Sequence, residues 1–506
     1  MNASKERKLG SVIGYIYTIC QAVISIVYIP ILLNGIGDSE YGLYQILSSI
    51  IAYFAAMETP LSASLLKYYS SYKEDHNKIK MENTLAIGKI IFIVFSFALI
   101  VLSIPVLVIL RNVYAQTFTL NELNEATLMF IIMIINLIIN LNSYTYIAAI
   151  TANESFIFLK LSSLISMIVQ PFLVVIFIQK IPYAFIIVLI STLLSFILYF
   201  VRKYYAKYKI GVIVTYHEFD RNLIIGLLKL SLSVLFVALA DQIFWKTDQL
   251  ILGAMYNTRT VSIYSIGSQI NSMFISIACV IGGMTLPMIT RISKEKEADF
   301  KLSEIFARIG RYQSYLVYLV LTGVILFGKE FIIIIAGTDY LETYYVALLL
   351  MIPYSIDLIQ TCAGSILQIK DKYYIRSIVL FLIAIINIIL TLNLAKSFGM
   401  IGAAVATTIS IMCSNIILNI YYNRCLKLNI ALFWRQCMPI IFSSIMICVL
   451  GYFILQINFS NIYLTFGFHI VVYSLIFVVI MYTLIMNSNE KNLIQSMKNK
   501  KLKKVN

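Results

Sequence analysis

Long apolar stretches follow one another along the whole chain, with only short polar segments between them. An α-helix that crosses a bilayer needs about 20 mostly apolar residues, so each stretch is predicted to form one membrane span. The pattern predicts fourteen spans, at residues 11–34, 41–66, 85–110, 125–149, 155–179, 182–201, 223–253, 261–290, 309–336, 342–368, 374–395, 399–423, 432–456 and 462–486. The predicted fold is therefore an all-α polytopic membrane protein with both termini on one side.

The composition supports this prediction. The 506 residues are 60% hydrophobic and only 12% charged, whereas about 25% of the residues of a soluble domain are charged. No long hydrophilic segment is present that could fold as a separate domain. The seven cysteines form no CxxC pair, so neither a disulfide framework nor a zinc site is predicted.

The positive charges alternate between the two sides of the predicted spans. In or beside the segments on one side lie 32 of the 39 lysines and arginines. Cytoplasmic loops carry such an excess, so both termini are predicted to be cytoplasmic, and we interpret the lysine-rich tail as a topology signal rather than a nucleic-acid site. Five basic residues fall in the outer loops: Arg111, Lys180, Arg259, Lys329 and Lys396.

The chain also shows a weak internal repeat. Tyr44 in EYGLYQILSSI aligns with Tyr264 in TVSIYSIGSQI, 220 residues later, and the turn at Asn153 aligns with the turn at Lys370, 217 residues later. We predict two six-helix bundles, at residues 1–210 and 211–424, followed by spans 13 and 14 (425–486) and a basic cytoplasmic tail (487–506). A cleft between two such bundles is the usual basis of alternating access.

One predicted span carries a cluster of charges. Asp241, Lys246 and Asp248 lie within LADQIFWKTDQLILG, and one charged side chain in the middle of a membrane helix costs at least ~2.5–3.5 kcal/mol. The aspartates are seven residues apart, nearly two helical turns, so both point the same way. The functional interpretation is a polar cavity. The alternatives are a structural hydrogen bond for the aspartates, hydration of Asp248 at the outer interface, and snorkelling of Lys246 to that interface.

Three segments carry a family resemblance: YIPILLNGIGDSEYGLYQIL (28–47), KTDQLILGAMYNTRTVSIYSIGSQI (246–270) and FGMIGAAVATTIS (398–410). Together they resemble the polysaccharide-transporter branch of the multidrug/oligosaccharidyl-lipid/polysaccharide exporter superfamily, which includes the Wzx-type flippases. The chain departs from the family where Glu58-Thr-Pro60 replaces a common Asp-x-Gly, so proline is expected to make the local bend.

The resemblance implies a MATE-like V-shaped arrangement of the two bundles, plus two C-terminal helices. It also implies a flippase of the bacterial plasma membrane that moves undecaprenyl-pyrophosphate-linked oligosaccharide repeat units from the inner to the outer leaflet, for O-antigen, capsule or another surface polysaccharide. Alternating access would be driven by an ion gradient or the membrane potential, with a proton or Na⁺ as coupling ion and no other cofactor. Membrane lipids, a polymerase and a chain-length regulator are the implied partners.

Seven residues are candidates for this transport. Glu58, Asp241 and Asp357 are assigned to ion coupling; for Glu58 and Asp357 the alternative is pairing with Lys67 or Lys229 for helix packing. The residues assigned to the pyrophosphate or the sugars are Lys67, Lys229, Lys246 and Asp248. Lys67 and Lys229 lie at the inner ends of spans 2 and 7, where ordinary positive-inside charge is the alternative explanation.

Two other functions are considered. A cation-coupled drug exporter would share the fold but would need a compact aromatic pocket and fewer cations at its mouth. A polytopic glycosyltransferase or polymerase would use carboxylates such as Asp38 and Glu40 in the first outer loop, but such enzymes usually have a large outer loop, which this sequence lacks. A transporter rather than an enzyme is therefore expected. The sequence also lacks a GxxxxGK[ST] nucleotide-binding loop, which fits transport that the membrane potential drives without ATP.

Overall fold

Within the parts of the chain that the computed structural model describes, all regular secondary structure is helical. These parts are residues 3–282, 285–293, 298–457 and 459–492, so most of the predicted basic tail, 493–506, lies outside them. The α-helices are α1 (Ala3–Ala55), α2 (Glu58–Glu74), α3 (Lys78–Val113), α4 (Leu120–Ala152), α5 (Phe156–Ile178), α6 (Phe185–Tyr204), α7 (Arg221–Met255), α8 (Thr258–Gly282), α9 (Thr285–Ile292), α10 (Ala298–Ile335), α11 (Glu342–Ile359), α12 (Thr361–Ile369), α13 (Tyr373–Arg424), α14 (Ile430–Gly451) and α15 (Ile462–Ile480).

Two of the longest helices each contain a glycine break. Gly37 interrupts α1 at φ 83° and Gly399 interrupts α13 at φ 58°, backbone conformations that glycine adopts without the steric cost of a Cβ. α13 thus holds two of the predicted spans, and α1 holds the first span and the beginning of the second. Ten helical segments in the described residues are long and apolar enough to cross a membrane. The all-α polytopic prediction is confirmed, and the helices are consistent with fourteen spans.

Two predicted spans are broken between consecutive helices. The chain leaves α1 at Ala55 and begins α2 at Glu58, with Pro60 in the first turn, where its missing N–H is tolerated. The bend expected from this proline is confirmed. A second break separates α11 from α12 at Gln360, whose amide exchanges hydrogen bonds of 2.9 and 3.1 Å with the Asn419 amide.

The helices form two compact units. The first consists of Met1–Ser265 and Ile388–Ala403, and the second of Ile266–Asn387 and Ala404–Asn506. The predicted boundaries of the six-helix bundles, at residues 210 and 424, are not tested by this division into units and stay a prediction. In the first unit α2, α3 and α4 pack around a core that includes Leu65, Phe92 and Leu141.

In the second unit α14 and α15 pack against α10 around Phe327, Ile440 and Tyr473. A buried ion pair joins the Arg311 Nε atom to Glu490 at 2.8 Å, beyond the end of α15. His469 is fully buried, with ring nitrogens 3.0 Å from Glu330 and 2.9 Å from the Ile457 carbonyl. The last two spans are thus tied to α10 by polar as well as apolar contacts.

Candidate functional site

Glu58 occupies the break between α1 and α2. It is the first residue of α2, where the exposed N–H groups of a helix favour a negative charge. Its carboxylate accepts a 3.2 Å hydrogen bond from the hydroxyl of Tyr144 in α4. Glu58 is therefore a half-buried acid whose recorded partner is a neutral phenol. Among the described residues, Glu58 forms no ion pair with Lys67 or Lys229, which was the alternative explanation for this acid.

An arginine that the sequence analysis counted as inner-side charge lies close by. Arg202, in the last turn of α6, donates to the hydroxyls of Ser143 at 3.2 Å and Ser163 at 3.3 Å. Within the described residues its Nε atom is buried without a hydrogen-bond partner. Ser143 precedes Tyr144 on α4, so the guanidinium adds positive charge beside the phenol that contacts Glu58.

The charged cluster of α7 does not share one environment. Asp248 is only 3% exposed, and its carboxylate accepts hydrogen bonds from Tyr264 at 2.6 Å and Thr391 at 3.0 Å. Asp241 is exposed and Lys246 partly exposed. The two aspartates are on one helix face, but Asp248 contacts α8 and the Ile388–Ala403 segment and is buried, whereas Asp241 is exposed. The alternative that Asp248 is hydrated at the outer interface is therefore wrong.

Neighbouring side chains explain why α7 is polar here. Thr247 lies 2.6 Å from the Tyr53 hydroxyl, and Gln249 accepts a hydrogen bond from Ser49, so α7 is joined to the second half of α1 by polar contacts. Buried polar groups are costly unless they are hydrogen-bonded. Part of the polarity of LADQIFWKTDQL is thus structural. The substrate roles of Lys246 and Asp248 and the coupling role of Asp241 stay predictions.

The lysines predicted at the cytoplasmic mouth lie on adjacent helices. Lys67 of α2 and Lys229 of α7 are both exposed. The helices can approach closely because Gly226 has no side chain; a Cβ there would overlap the Tyr68 hydroxyl. The hydroxyl oxygens of Ser64 and Ser231 lie 2.8 Å apart, and Ser64 is one turn before Lys67. The structure thus brings the two lysine-bearing helices side by side within the first unit.

Asp357 belongs to the second unit and has a different kind of partner. It lies in the last turn of α11, and both of its carboxylate oxygens accept hydrogen bonds from Arg376 of α13, at 3.0 and 3.1 Å. The proposed pairing with Lys67 or Lys229 is therefore wrong for Asp357, because Arg376 of α13 supplies the counter-charge. One signal was available: Arg376 is the first arginine after Asp357 in the chain, although α12 lies between them.

Comparison with known proteins places this arrangement in a family. A family model described as "Polysaccharide biosynthesis protein" matches residues 10–293, more than half of the 506 residues. The chain belongs to this polysaccharide biosynthesis protein family. The family relationship recognised in the three sequence segments is thereby confirmed.

Individual relatives of this family member are distant. The probable flippase AglR of Haloferax volcanii is 28% identical over 177 residues, which are 34% of this chain and 36% of AglR. The match thus spans about a third of the length of that curated relative.

Solved structures establish the fold over a longer range. The inward closed conformation of the lipid II flippase MurJ superposes with a TM-score of 0.72 at 16% identity, covering 94% of this chain and 98% of MurJ. An inward-facing multidrug resistance MATE transporter gives 0.61 at 11% identity, covering 84% and 98%. The multi-pass membrane fold of this polysaccharide biosynthesis protein is that of the MurJ and MATE transporters.

The family match covers most of the predicted site. Glu58, Lys67, Lys229 and the α7 cluster all fall within residues 10–293, whereas Asp357 lies beyond them. The residues that sequence reasoning missed are Tyr144, Arg202 and Arg376. Tyr144 and Arg202 gave no signal, because tyrosines are common throughout this family member and Arg202 reads as ordinary inner-side charge.

Proposed function

We propose that this chain is a flippase that carries undecaprenyl-pyrophosphate-linked oligosaccharide repeat units from the inner to the outer leaflet of a bacterial plasma membrane. The arrangement of charged residues in the first unit is the observation that supports this proposal. The family-matched region places a half-buried acid, Glu58, and two exposed cations, Lys67 and Lys229, along the packed helices α2 and α7. AglR is a probable flippase and MurJ is a lipid II flippase, which supports flippase activity for this chain.

The chemistry of the proposed cargo fits these residues. A pyrophosphate is a compact anion, and lysine ammonium groups bind phosphates as mobile point charges. Movement of a negative charge outward across an energised membrane gains about 2.3 kcal/mol per charge per 100 mV. Glu58 would bind the coupling proton or Na⁺. The protein would move the lipid from one leaflet to the other without making or breaking a covalent bond. Both termini would be cytoplasmic. A polymerase and a chain-length regulator would act on the lipid-linked product.

The MATE-like fold supports one alternative, a cation-coupled drug exporter. The discriminating experiment expresses the chain in a bacterial strain that lacks its own repeat-unit flippase and whose repeat unit matches the natural one. We expect surface polysaccharide to return and the inner-leaflet intermediate to disappear. Restored drug resistance without restored polysaccharide would replace the proposal with the exporter.

The variant Asp241→Asn tests whether the exposed acid of α7 takes part in transport. Because Asp241 is exposed and Asp248 is buried, the two aspartates should respond differently. We expect Asp241→Asn to reduce surface polysaccharide at an unchanged protein level, and Asp248→Asn to reduce the protein level. Undiminished polysaccharide with Asp241→Asn would remove Asp241 from the mechanism.

A further inference from the structure

A trough of about 630 Å³ lies in the second unit, where α10, α11 and α14 meet. Ile325 and Leu326 of α10 line it, as do Ile445 and Val449 of α14 and Phe453 just after α14. The last three side chains are apolar yet 51%, 61% and 62% exposed. On a membrane-spanning helix such side chains face lipid, so the trough opens toward the bilayer.

The walls of the trough are held in place by specific contacts. A Cβ added at Gly451 would lie 2.5 Å from the Leu326 side chain, so glycine allows α14 to approach α10 closely at this end. The Tyr344 hydroxyl donates a 2.7 Å hydrogen bond to the Ile325 carbonyl. This bond fixes the aromatic ring of α11 beside the opening, so the trough is a built feature and not a gap between loosely packed helices.

A single cation lies in this apolar lining. The Lys329 Nζ atom lies 5.4 Å from the ring centroid of Tyr344 and 5.7 Å from that of Tyr345. No carboxylate of the described residues forms an ion pair with it, and the neighbouring Glu330 is held by His469 at 3.0 Å. Lys329 lies toward the outer end of the predicted span 309–336, within α10. Its positive charge is therefore available to an anion at the outer membrane surface.

We propose that this trough binds an anionic phospholipid of the outer leaflet. The phosphodiester lies against Lys329, and one acyl chain lies against Ile445 and Val449. From Ile445 to Tyr452 the helix rises roughly 10 Å at 1.5 Å per residue, which is enough to hold part of one chain. The combination of one cation, two tyrosine rings and an apolar trough matches the chemistry of a lipid at the interface. The proposal does not depend on the cargo that the protein transports.

Native mass spectrometry of the full chain tests this site. The protein is released from nanodiscs of phosphatidylcholine that contain a minor fraction of phosphatidylglycerol, and the retained lipids are counted. We expect retained phosphatidylglycerol to exceed its bilayer fraction and to fall about fivefold with Lys329→Gln, since one basic residue near the surface contributes about 1 kcal/mol. Lys396→Gln, at another exposed outer lysine, should leave retention unchanged.

A second variant tests the apolar part of the site. Val449→Trp would fill the trough and should reduce lipid retention while Lys329 is intact, with gel-filtration behaviour checked in parallel. Retention of phosphatidylglycerol in proportion to its bilayer fraction, or equal loss with Lys329→Gln and Lys396→Gln, would overturn the proposal. Displacement of phosphatidylglycerol by equimolar undecaprenyl phosphate would also overturn it and would assign the trough to an isoprenoid lipid.

Discussion

Glu58 in the first unit and Asp357 in the second are both carboxylates at a break in a membrane-spanning segment, but they lie at opposite helix ends. Glu58 begins α2, whereas Asp357 lies in the last turn of α11. A helix carries partial positive charge at its N-terminus and partial negative charge at its C-terminus. The helix therefore favours a negative charge at Glu58 and disfavours one at Asp357.

Their partners differ accordingly. Asp357 has the guanidinium of Arg376 on both oxygens, while Glu58 has the hydroxyl of Tyr144. A guanidinium stays charged and can only donate, so it is a fixed counter-charge for Asp357. A phenol can donate to a carboxylate and can accept from a carboxylic acid, so it accommodates both forms of Glu58. We therefore expect Glu58 to exchange a proton and Asp357 to stabilise the fold.

The largest expected effect comes from breaking the ion pair of the second unit. Arg376→Ala would leave Asp357 without its counter-charge at a helix C-terminus. Removing one partner of a buried pair costs 3–5 kcal/mol. Because the side chains here are 17% and 23% exposed, we expect a loss near the lower end, about 3 kcal/mol. The melting temperature of the detergent-purified protein measures it.

The double variant Arg376→Leu with Asp357→Asn is the control for this loss. It removes both charges together, so it should recover most of the melting temperature. Glu58→Gln, which removes an acid without a recorded ion pair, should leave the melting temperature close to that of the unmodified protein. If Glu58→Gln destabilised the protein as much as Arg376→Ala, the contrast between the two carboxylates would be refuted.

These partners mark the limit of what the sequence could predict. Hydrophobic length alone predicted the membrane helices, and Pro60 predicted the break at Glu58, because both depend on residues close in the chain. The contact of Glu58 with Tyr144 joins residues 86 positions apart, and no local pattern encodes it. Asp241 and Asp248 show the same limit: helical spacing placed them on one face, but only the packing of other helices buried Asp248.

The second effect concerns transport through the first unit. If Glu58 carries the coupling proton, Glu58→Gln removes a drive of about 2.3 kcal/mol per 100 mV, and we expect surface polysaccharide in flippase-deficient cells to fall by up to about 50-fold at that potential. The remaining transport should no longer depend on external pH. Glu74→Gln, at an exposed acid at the other end of α2, is the matched control. Unaltered pH dependence with Glu58→Gln would assign coupling to another residue.

The exposed lysines of the first unit differ from Arg376, which forms an ion pair with Asp357. Replacing Lys67 and Lys229 together by glutamine should leave the melting temperature unchanged, because neither lysine forms an ion pair within the described residues. If they attract the pyrophosphate, the half-saturating concentration of lipid-linked substrate in proteoliposomes should rise about 30-fold, because two basic residues at about 1 kcal/mol each contribute about 2 kcal/mol together.

Lys207 and Lys209 provide the matched control for that variant. Both are exposed, and the Lys207 ammonium lies 5.2 Å from its neighbouring Tyr208 ring, as Lys67 lies 6.0 Å from Tyr68. The double glutamine variant at 207 and 209 should retain the substrate affinity of the unmodified protein. An equal loss in both double variants would show that general inner-side charge, rather than the α2–α7 pair, attracts the substrate.

The smallest effect is expected from Tyr144→Phe, which removes the hydroxyl that contacts Glu58. The carboxylate loses a donor, so the protonated form becomes relatively more favourable and the pH midpoint of transport should move upward. The hydrogen bond to the charged carboxylate is stronger than the one to the neutral acid, and a difference of about 1 kcal/mol corresponds to a midpoint shift of about 0.7 pH unit. Tyr208→Phe, at an exposed tyrosine, should cause no shift. A shift that requires Glu58, and disappears in the Glu58→Gln background, would identify this phenol–carboxyl pair as the titrating element of the first unit.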